Sequence, residues 1–417
     1  MSLDAPTKKT PGIGFLVRSS ALFFLLIAGV AATSNARFPN PNSKPSPGGV
    51  DTREFLQKRP PAGQKAEPRE KDSARTRAAG PYRGGVNGSR QTWARTYSRP
   101  GTMDISNNGV IYGFRMSPAL DGGLFLLGHT STQIPASYDS CVMKVNAEGE
   151  IEWQRVYRQG KGQGYTQFIR SIHPTSDGGV VAGGENSSGL LAVKFLSNGD
   201  IEWQRQYDHE GKRDYFTDLQ QTGDGGYLLA ASSGDPGGGG IPDESDILLI
   251  KLDSSGNPAW QKTYGGTLDE APSGFYQTSD GGYAVCGFAF SPGSGSDTSL
   301  LLLRLSSSGD IEGQTAYEGS GISVLSFKPT GDGGSILVGS AAETGSLFNG
   351  DAWAMKLSAG GAVEWTKTYH GSYDERFRSI QQTPDGGYIA AGETNSFSPF
   401  NYGRALLAKL TPDGEIE

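Results

Sequence analysis

The stretch QQTPDGGYIAAGET, residues 381–394, recurs along the chain with small changes. Close copies stand at 173–186 (HPTSDGGVVAGGEN), 220–233 (QQTGDGGYLLAASS) and 276–289 (YQTSDGGYAVCGFA). The Asp of this pattern occupies these positions: Asp121, Asp177, Asp224, Asp280, Asp332 and Asp385. Asp-Gly-Gly between two apolar runs is typical of a hairpin turn, because glycine adopts positive φ without a Cβ penalty. The repeated unit therefore contains a hairpin.

A second signature follows each hairpin: an apolar strand, a turn containing Gly, and then Trp-x-x-x-Tyr. The aromatic pairs are Trp93/Tyr97, Trp153/Tyr157, Trp203/Tyr207, Trp260/Tyr264 and Trp365/Tyr369, and in one further copy Gly313 replaces the Trp while Tyr317 remains. The turn glycines are Gly149, Gly199, Gly256, Gly309, Gly361 and Gly414. Each copy holds four short runs with β alternation in 47–60 residues. This is the size of a four-stranded β-propeller blade.

The number of copies predicts an all-β fold, a β-propeller of six four-stranded blades, with seven blades as the second choice. The run TWARTY (92–97) lacks the three strands that should precede it, and the last copy, ALLAKLTPDGEIE (405–417), stops where its Trp would come. We expect the N-terminal strand to complete the last blade and so close the ring without a bare sheet edge. The alternatives are a piece of a longer array and a helical solenoid.

Two features of the repeat predict where its strands lie. The strand after Asp-Gly-Gly is poor in bulky side chains, and we expect it near the propeller axis, where blades crowd. The Trp and Tyr of the fourth strand should fill the wider outer space between blades, since aromatic side chains bury the most area.

The chain divides into three segments. Residues 1–36 are predicted to be a cleaved signal peptide, because Lys8, Lys9 and Arg18 precede the apolar run 21–32 and Ala36 ends a small-residue cleavage pattern. That run is shorter than the roughly 20 residues of a spanning helix; an uncleaved anchor or a short core helix is the alternative. Residues 37–90, rich in Pro, Lys and Arg, should be a disordered linker, a plain spacer or an electrostatic tether. Residues 91–417 are predicted to form the propeller.

These segments predict an exported protein, located outside the cell, at its surface or in a periplasm, with no transmembrane span in the mature chain. Residues 37–90 contain 12 Lys+Arg and 5 Asp+Glu, a net charge of +7, whereas residues 91–417 contain 22 and 38, a net charge of −16. So acidic a body disfavours nucleic acid as a partner. Cys141 and Cys286 fall in different copies, and we expect them to be buried and unpaired with each other. No Cys or His stands at zinc spacing, and neither a metal nor a cofactor is predicted.

The pattern T-x-D-G-G-Y-x-x-A-G followed by L-x-K-L-x-x-x-G-x-x-x-W-x-K-T-Y resembles secreted bacterial β-propeller repeat proteins over residues 91–417. LDSSGNPAWQKTY is similar to the Gly-to-Trp repeat of quinoprotein dehydrogenases, and TSDGG is similar to the Asp-box turn of sialidase-like propellers. In both families these elements are structural. The chain departs from the quinoprotein type in lacking adjacent cysteines, and from the Asp box in lacking its Trp. The resemblance therefore implies a fold rather than a reaction.

The loops predict where specificity resides. In a four-stranded meander the first–second and third–fourth turns share one end, and here they are short and repetitive. The second–third loops and the blade connections share the other end, and here they are long and variable; loops on a rigid scaffold often bind ligands. The candidate binding residues in these connections are Asp214, Asp269, Glu270, Asp374 and Glu375. They could ring the channel mouth and hold a cation or a basic partner, or they could cap turns and meet solvent.

The sequence favours a non-catalytic binding or scaffolding module for a protein or a glycan, either a monomer or a complex subunit. One alternative is a propeller hydrolase or lyase with its site at the channel mouth, which requires convergent carboxylates around a deep pocket. Another is a subunit of a cell-surface complex, which requires an exposed apolar patch.

Overall fold

The computed structural model describes residues 111–133, 136–157, 168–186, 189–235, 243–266, 269–290, 298–318, 321–342, 350–396 and 404–417. These residues form six antiparallel β-sheets arranged as a six-bladed β-propeller, which confirms the predicted fold. The predicted signal peptide, the linker and the TWARTY run lie outside the described residues. Within the described ranges, no helix has the length and apolar character that a membrane crossing requires.

Blades 1 to 3 have four strands each. Blade 1 contains β1 (Ile111–Pro118), β2 (Leu124–Gln133), β3 (Ala136–Val145) and β4 (Ile151–Tyr157). Blade 2 contains β5 (Phe168–Pro174), β6 (Val180–Asn186), β7 (Gly189–Phe195) and β8 (Ile201–Tyr207). Blade 3 contains β9 (Arg213–Gln221), β10 (Tyr227–Asp235), β11 (Asp243–Leu252) and β12 (Pro258–Tyr264).

Blades 4 and 5 repeat this order, and blade 6 has three described strands. Blade 4 contains β13 (Glu270–Gln277), β14 (Tyr283–Phe290), β15 (Thr298–Leu305) and β16 (Ile311–Glu318). Blade 5 contains β17 (Ile322–Pro329), β18 (Ser335–Ala342), β19 (Gly350–Leu357) and β20 (Val363–Tyr369). Blade 6 contains β21 (Glu375–Gln382), β22 (Tyr388–Thr394) and β23 (Arg404–Leu410). The strand predicted to complete blade 6 falls outside the described residues.

The first strand of each blade is the innermost. Every sheet is a meander in chain order, and the first strands of blades 2 to 6 contact one another in succession. The small-residue strand after Asp-Gly-Gly therefore lies second from the axis, next to the innermost strand, in line with its expected position near the axis. Its lack of bulk has a specific cause in blade 2, where a Cβ on Gly183 would stand 2.3 Å from the Phe216 ring of blade 3. Small residues on this strand let the next blade approach.

The Asp-Gly-Gly turn is held by the Asp side chain. In blade 3, Thr222 Oγ1 donates to Asp224 Oδ1 at 2.5 Å, and the backbone N–H of Gly226 donates to the same oxygen at 3.0 Å. The other carboxylate oxygen pairs with Lys251 Nζ at 2.8 Å. The pair holds the pKa of Asp224 down at about 2, against the opposing effect of burial. The T-x-D-G-G pattern thus supplies a hydroxyl, a carboxylate and a glycine to one turn.

The Lys of L-x-K-L extends this network across the blade. In blade 5, Lys356 Nζ lies 2.7 Å from Asp332 Oδ2 and 3.0 Å from Glu364 Oε2, although the Lys side chain is only 3% exposed. A β-bulge at the start of β20 leaves Glu364 outside the register and places its carboxylate on the Lys. Burial opposes the charge, but the two carboxylates raise the pKa of Lys356. In blade 3 the bulge position is Ala259, so Asp224 is the one carboxylate paired with Lys251 there.

The Trp-x-x-x-Tyr run of one blade packs on the third–fourth turn of the next blade and donates hydrogen bonds to it. The Trp203 indole of blade 2 lies on Gly256 of blade 3, and its Nε1 donates to the Ser254 carbonyl at 3.1 Å. Tyr207 OH donates to the Gly256 carbonyl at 2.8 Å. Corresponding Tyr-to-Gly bonds join Tyr264 to Gly309, Tyr317 to Gly361, and Tyr369 to Gly414. The interblade role predicted for these aromatics is confirmed.

The two cysteines are buried on different sheets. Cys141 lies on β3 of blade 1 and Cys286 on β14 of blade 4, and no disulfide joins them. Burial raises the pKa of the Cys286 thiol well above its ordinary value. Both positions belong to the packed interior rather than to a reactive site.

Candidate binding face

The two ends of the propeller differ in chemistry. The end that carries the Asp-Gly-Gly and third–fourth turns is built from repeated ion pairs and backbone hydrogen bonds. The opposite end carries the second–third loops and the blade connections, and there the sequence differs from blade to blade. We call this opposite end the loop face. All the candidate binding residues lie on it.

Three of the candidate acids occupy one equivalent position. Asp214, Glu270 and Glu375 stand at or next to the first residue of β9, β13 and β21, each three residues before the bulged residue of its innermost strand. Their fractional exposures are 7%, 8% and 4%. The acids therefore begin the innermost strands at the loop face, but their side chains are buried rather than directed into solvent.

Glu375 is held by hydroxyl groups of blade 6. Its Oε1 accepts a hydrogen bond from Thr394 Oγ1 at 2.6 Å and a further one from Ser396 Oγ. Its Oε2 lies over Gly371, where a Cβ would stand 2.2 Å away. Burial raises the pKa of Glu375, while the two hydroxyl donors act in the opposite direction. The carboxylate thus ties the connection from blade 5 to the end of β22.

Glu270 lies in a group of three acids. Its Oε2 accepts from the N–H of Gly266 at 3.1 Å, and Asp246 and Asp269 are close enough to repel its negative charge. Burial, together with this repulsion, raises the pKa of Glu270 to about 7. A Cβ on Gly265 would stand 1.8 Å from Asp246 Oδ1 and 2.7 Å from Glu270 Oε2. A side chain at 265 would have to displace these two carboxylates.

Asp214 is the third member of the set. It accepts a hydrogen bond from Ser233 and lies 3.4 Å from the N–H of His209, whose Nδ1 is 2.7 Å from Ser233 Oγ. Burial raises the pKa of Asp214, against the effect of these donors. As in blade 6, the carboxylate joins its connection to the end of the second strand.

The other two candidate acids are half-buried. Asp269 Oδ1 accepts from the N–H of Ser245 at 3.1 Å, which joins the connection before β13 to β11. Asp374 uses its backbone carbonyl to accept from the N–H of Asn395 at 2.8 Å, and its Oδ2 lies 3.4 Å from Asn395 Nδ2. These side chains retain access to solvent at the loop face.

The partners that bury these acids could not be identified from the sequence alone. Ser233, Ser396 and Thr394 supply hydroxyls, while Asp246 and Asp351 supply nearby negative charge. One sequence feature could have indicated the burial. In blades 3 and 6 the end of the second strand carries Ser or Thr opposite the acid, in the register pairs Ser233–Asp214 and Thr394–Glu375. Recognising it requires the strand register, which includes a bulge.

Two of the histidines pair with a single aspartate each. His370 Nδ1 lies 2.7 Å from Asp351 Oδ2 at the loop face, and His173 Nε2 lies 2.8 Å from Asp218 Oδ1 in the next blade. His129 is half-buried, and burial together with the positive charges of Arg170 and Arg115 lowers its pKa. Among the described residues, no group of three or more His, Cys, Asp or Glu is arranged to hold a metal ion.

The chain is similar to solved propeller structures at low identity. No protein-family model matches it, and no curated protein matches it. A puromycin hydrolase matches with a TM-score of 0.48 and 14% identity over 72% of this chain and 45% of that chain. The Pyrococcus horikoshii acylaminoacyl peptidase matches with 0.45 and 10% over 74% and 45%. Drosophila Plexin A in complex with Semaphorin 1b matches with 0.41 and 11% over 72% and 79%. The chain thus spans less than half the length of either hydrolase.

Proposed function

We propose that this protein is an exported, non-catalytic β-propeller that binds a protein or glycan ligand through its loop face, as a monomer or as a subunit of a surface complex. The observation that carries the proposal is the contrast between the two ends. One end repeats the same ion-paired turn from blade to blade, whereas the other carries different loops on rigid innermost strands.

The buried acids support a binding scaffold over a hydrolase or lyase. Asp214, Glu270 and Glu375 belong to three different connections, and each is bonded to backbone or hydroxyl groups of its own connection and adjoining strands. Catalytic acids must instead converge on one reacting group. Here the carboxylates fix the loops, and the half-buried Asp269 and Asp374 are left to contact a ligand.

Ligand capture by the full chain tests the proposal. The chain is immobilised and exposed to extracellular protein extracts and to an oligosaccharide array. Asp269→Lys and Asp374→Lys reverse charge on the loop face, and Glu148→Lys does so at an exposed turn of the opposite end. Capture should fall in the first two variants and persist in the third. Unchanged capture in both loop-face variants would remove these acids from the site, and no capture by the parent chain would reject the function.

Export is tested separately. Expression of the full chain in a bacterium should release a mature protein whose N-terminal residue is Arg37, as the signal-peptide prediction requires. A product that retains Met1 in the cytoplasm would contradict this part of the proposal.

A further inference from the structure

One aromatic side chain of the loop face is exposed. Tyr373, in the connection from blade 5 to blade 6, is 55% exposed, whereas Tyr369 and Phe377, four residues away on either side, are 3% and 1% exposed. In the part of the chain whose burial is described, every other aromatic side chain is buried or half-buried. An aromatic ring left in water is a common anchor for a ligand.

The backbone beneath this ring is fixed. Ser396 Oγ accepts hydrogen bonds from the N–H groups of Ser372 at 2.7 Å and Tyr373 at 2.9 Å. The same hydroxyl donates to the buried Glu375, which Thr394 also holds. Because this network orders the connection before any ligand arrives, less conformational entropy is lost on binding.

Polar groups suited to hydroxyl recognition occur in the same connection and at the strand ends bonded to it. The next residue, Asp374, has its Oδ2 3.4 Å from Asn395 Nδ2, so an acceptor and a donor stand side by side. Both side chains are half-buried. His370, 52% exposed, lies in the same connection, and its Nδ1 is 2.7 Å from Oδ2 of Asp351, near the start of β19. We call Asp351, His370, Tyr373, Asp374 and Asn395 the Tyr373 patch.

The composition of the patch defines the class of ligand. The patch combines the ring with carboxylate, amide and imidazole groups rather than with the apolar side chains that form the core of a protein interface. Its acids, within a body of 22 basic and 38 acidic residues, would repel an anionic polymer. A pyranose ring presents an apolar C–H face to stack on an aromatic, with hydroxyls at its rim that pair with carboxylate and amide groups.

We propose that the Tyr373 patch binds a neutral oligosaccharide, with a pyranose stacked on Tyr373 and adjacent hydroxyls bonded to Asp374 and Asn395. This inference rests on the proposed binding function and assigns its ligand to the glycans. Position matters as well: the residue two before the buried acid is Lys212 in the connection to blade 3 and Tyr373 in the connection to blade 6. The connection to blade 3 therefore lacks the aromatic and provides a matched control.

The test uses the full chain on an array of neutral and acidic oligosaccharides, followed by calorimetric titration of the best neutral binder. The variants are Tyr373→Ala and Asp374→Asn, with Lys212→Ala as the matched control. We expect Tyr373→Ala to weaken neutral glycan binding at least tenfold, Asp374→Asn to weaken it less, and Lys212→Ala to leave it unchanged. All three variants should keep the melting temperature of the parent chain. Ser396→Ala should also weaken binding, because it removes the hydroxyl that holds the backbone of Tyr373, although the Tyr373 side chain itself is unchanged.

Equal binding by Tyr373→Ala and the parent overturns the assignment. So does capture of a protein, or of acidic glycans alone, by the parent chain, although the proposed function would then stand. A parent that captures neither glycan nor protein rejects both.

Discussion

The indole of Trp203 lies so close to the backbone of Gly256, on the next blade, that a Cβ on Gly256 would stand 2.8 Å from the ring. The glycine also has φ of +77°, a conformation that L side chains rarely adopt. Two separate constraints therefore require glycine at the third–fourth turn: the turn geometry and the neighbouring blade.

These constraints can be separated by two Ala substitutions. Gly225 has φ of +81° with nothing within 4 Å of its Cβ position, so Gly225→Ala should cost about 1 kcal/mol of unfolding free energy from the backbone alone. Gly256→Ala must also displace the Trp203 indole, at a further cost of about 1–3 kcal/mol. Denaturant unfolding of both variants checks this. Equal losses would show that the indole does not constrain the turn.

The ion pairs behind the Asp-Gly-Gly turn predict unequal costs for the same substitution. Asp224→Asn leaves Lys251 buried with no paired carboxylate, whereas Asp332→Asn leaves Lys356 paired with Glu364. Asn preserves the Oδ1 acceptor of the turn in both cases. Lys251 is buried but Asp224 is 61% exposed, so we expect Asp224→Asn to cost about 1–3 kcal/mol and Asp332→Asn clearly less.

Unfolding of the two Asn variants at neutral pH measures this difference. The role of the bulge can be tested in the same way. Ala259→Glu should place a carboxylate at the bulge position next to Lys251, and the loss of unfolding free energy caused by Asp224→Asn should be smaller in that background. Identical losses in the two blades would contradict the contribution assigned to Glu364.

Glu270 predicts a pH dependence of stability. Its folded pKa is raised to about 7 from an ordinary value of 4.5, so the unfolded chain loses its proton first as pH rises. The free energy of unfolding therefore falls progressively between pH 4.5 and 7, by at most about 3 kcal/mol at 1.4 kcal/mol per pKa unit. Above pH 7 this loss stays constant. Glu270→Gln removes the penalty.

Relative to the parent, Glu270→Gln should gain stability as pH rises from 4.5 to 7. Melting temperatures across this range check the sign, with Glu148→Gln as a control at an exposed turn. A difference between Glu270→Gln and the parent that stays constant with pH would show that Glu270 does not titrate in this window.

The repeat in the sequence was sufficient to predict the fold. The turn Asp and Gly residues, the Trp-x-x-x-Tyr run and their spacing each specify a local structure, and all point to the same blade. The sequence could not show which residue packs on which turn. The bond from Trp203 to Ser254 joins different copies, and only the ring geometry brings them together.

The burial of three of the candidate acids also could not be predicted from the sequence. Charged residues in loops are usually exposed, so the sequence favoured exposed acids. Asp269 and Asp374 do keep access to solvent, although they are half-buried. Glu375 is buried because hydroxyls at the end of β22 and the backbone at Gly371 close around it. That arrangement depends on strand register and on a bulge in β21, neither of which a one-dimensional pattern encodes.

Closure of the ring provides the last prediction. In blade 6, Ile389 and Leu407 are 39% and 66% exposed, whereas their equivalents in blade 5, Ile336 and Ala354, are fully buried. The run predicted to complete this blade, 92–97, lies outside the described residues. If it supplies the fourth strand, Trp93 takes the place over Gly149 that Trp203 takes over Gly256.

On that basis Trp93→Ala and Trp203→Ala should each lower the free energy of unfolding by about 3–5 kcal/mol, the usual cost of removing a buried Trp side chain. Arg95→Ala is the matched control, because its equivalents Arg155 and Arg205 are not buried. Chemical unfolding of the three variants measures the effect. A Trp93→Ala variant as stable as the parent, beside a destabilised Trp203→Ala, would mean that the N-terminal run does not complete blade 6, since an unclosed edge gives Trp93 no turn to pack on.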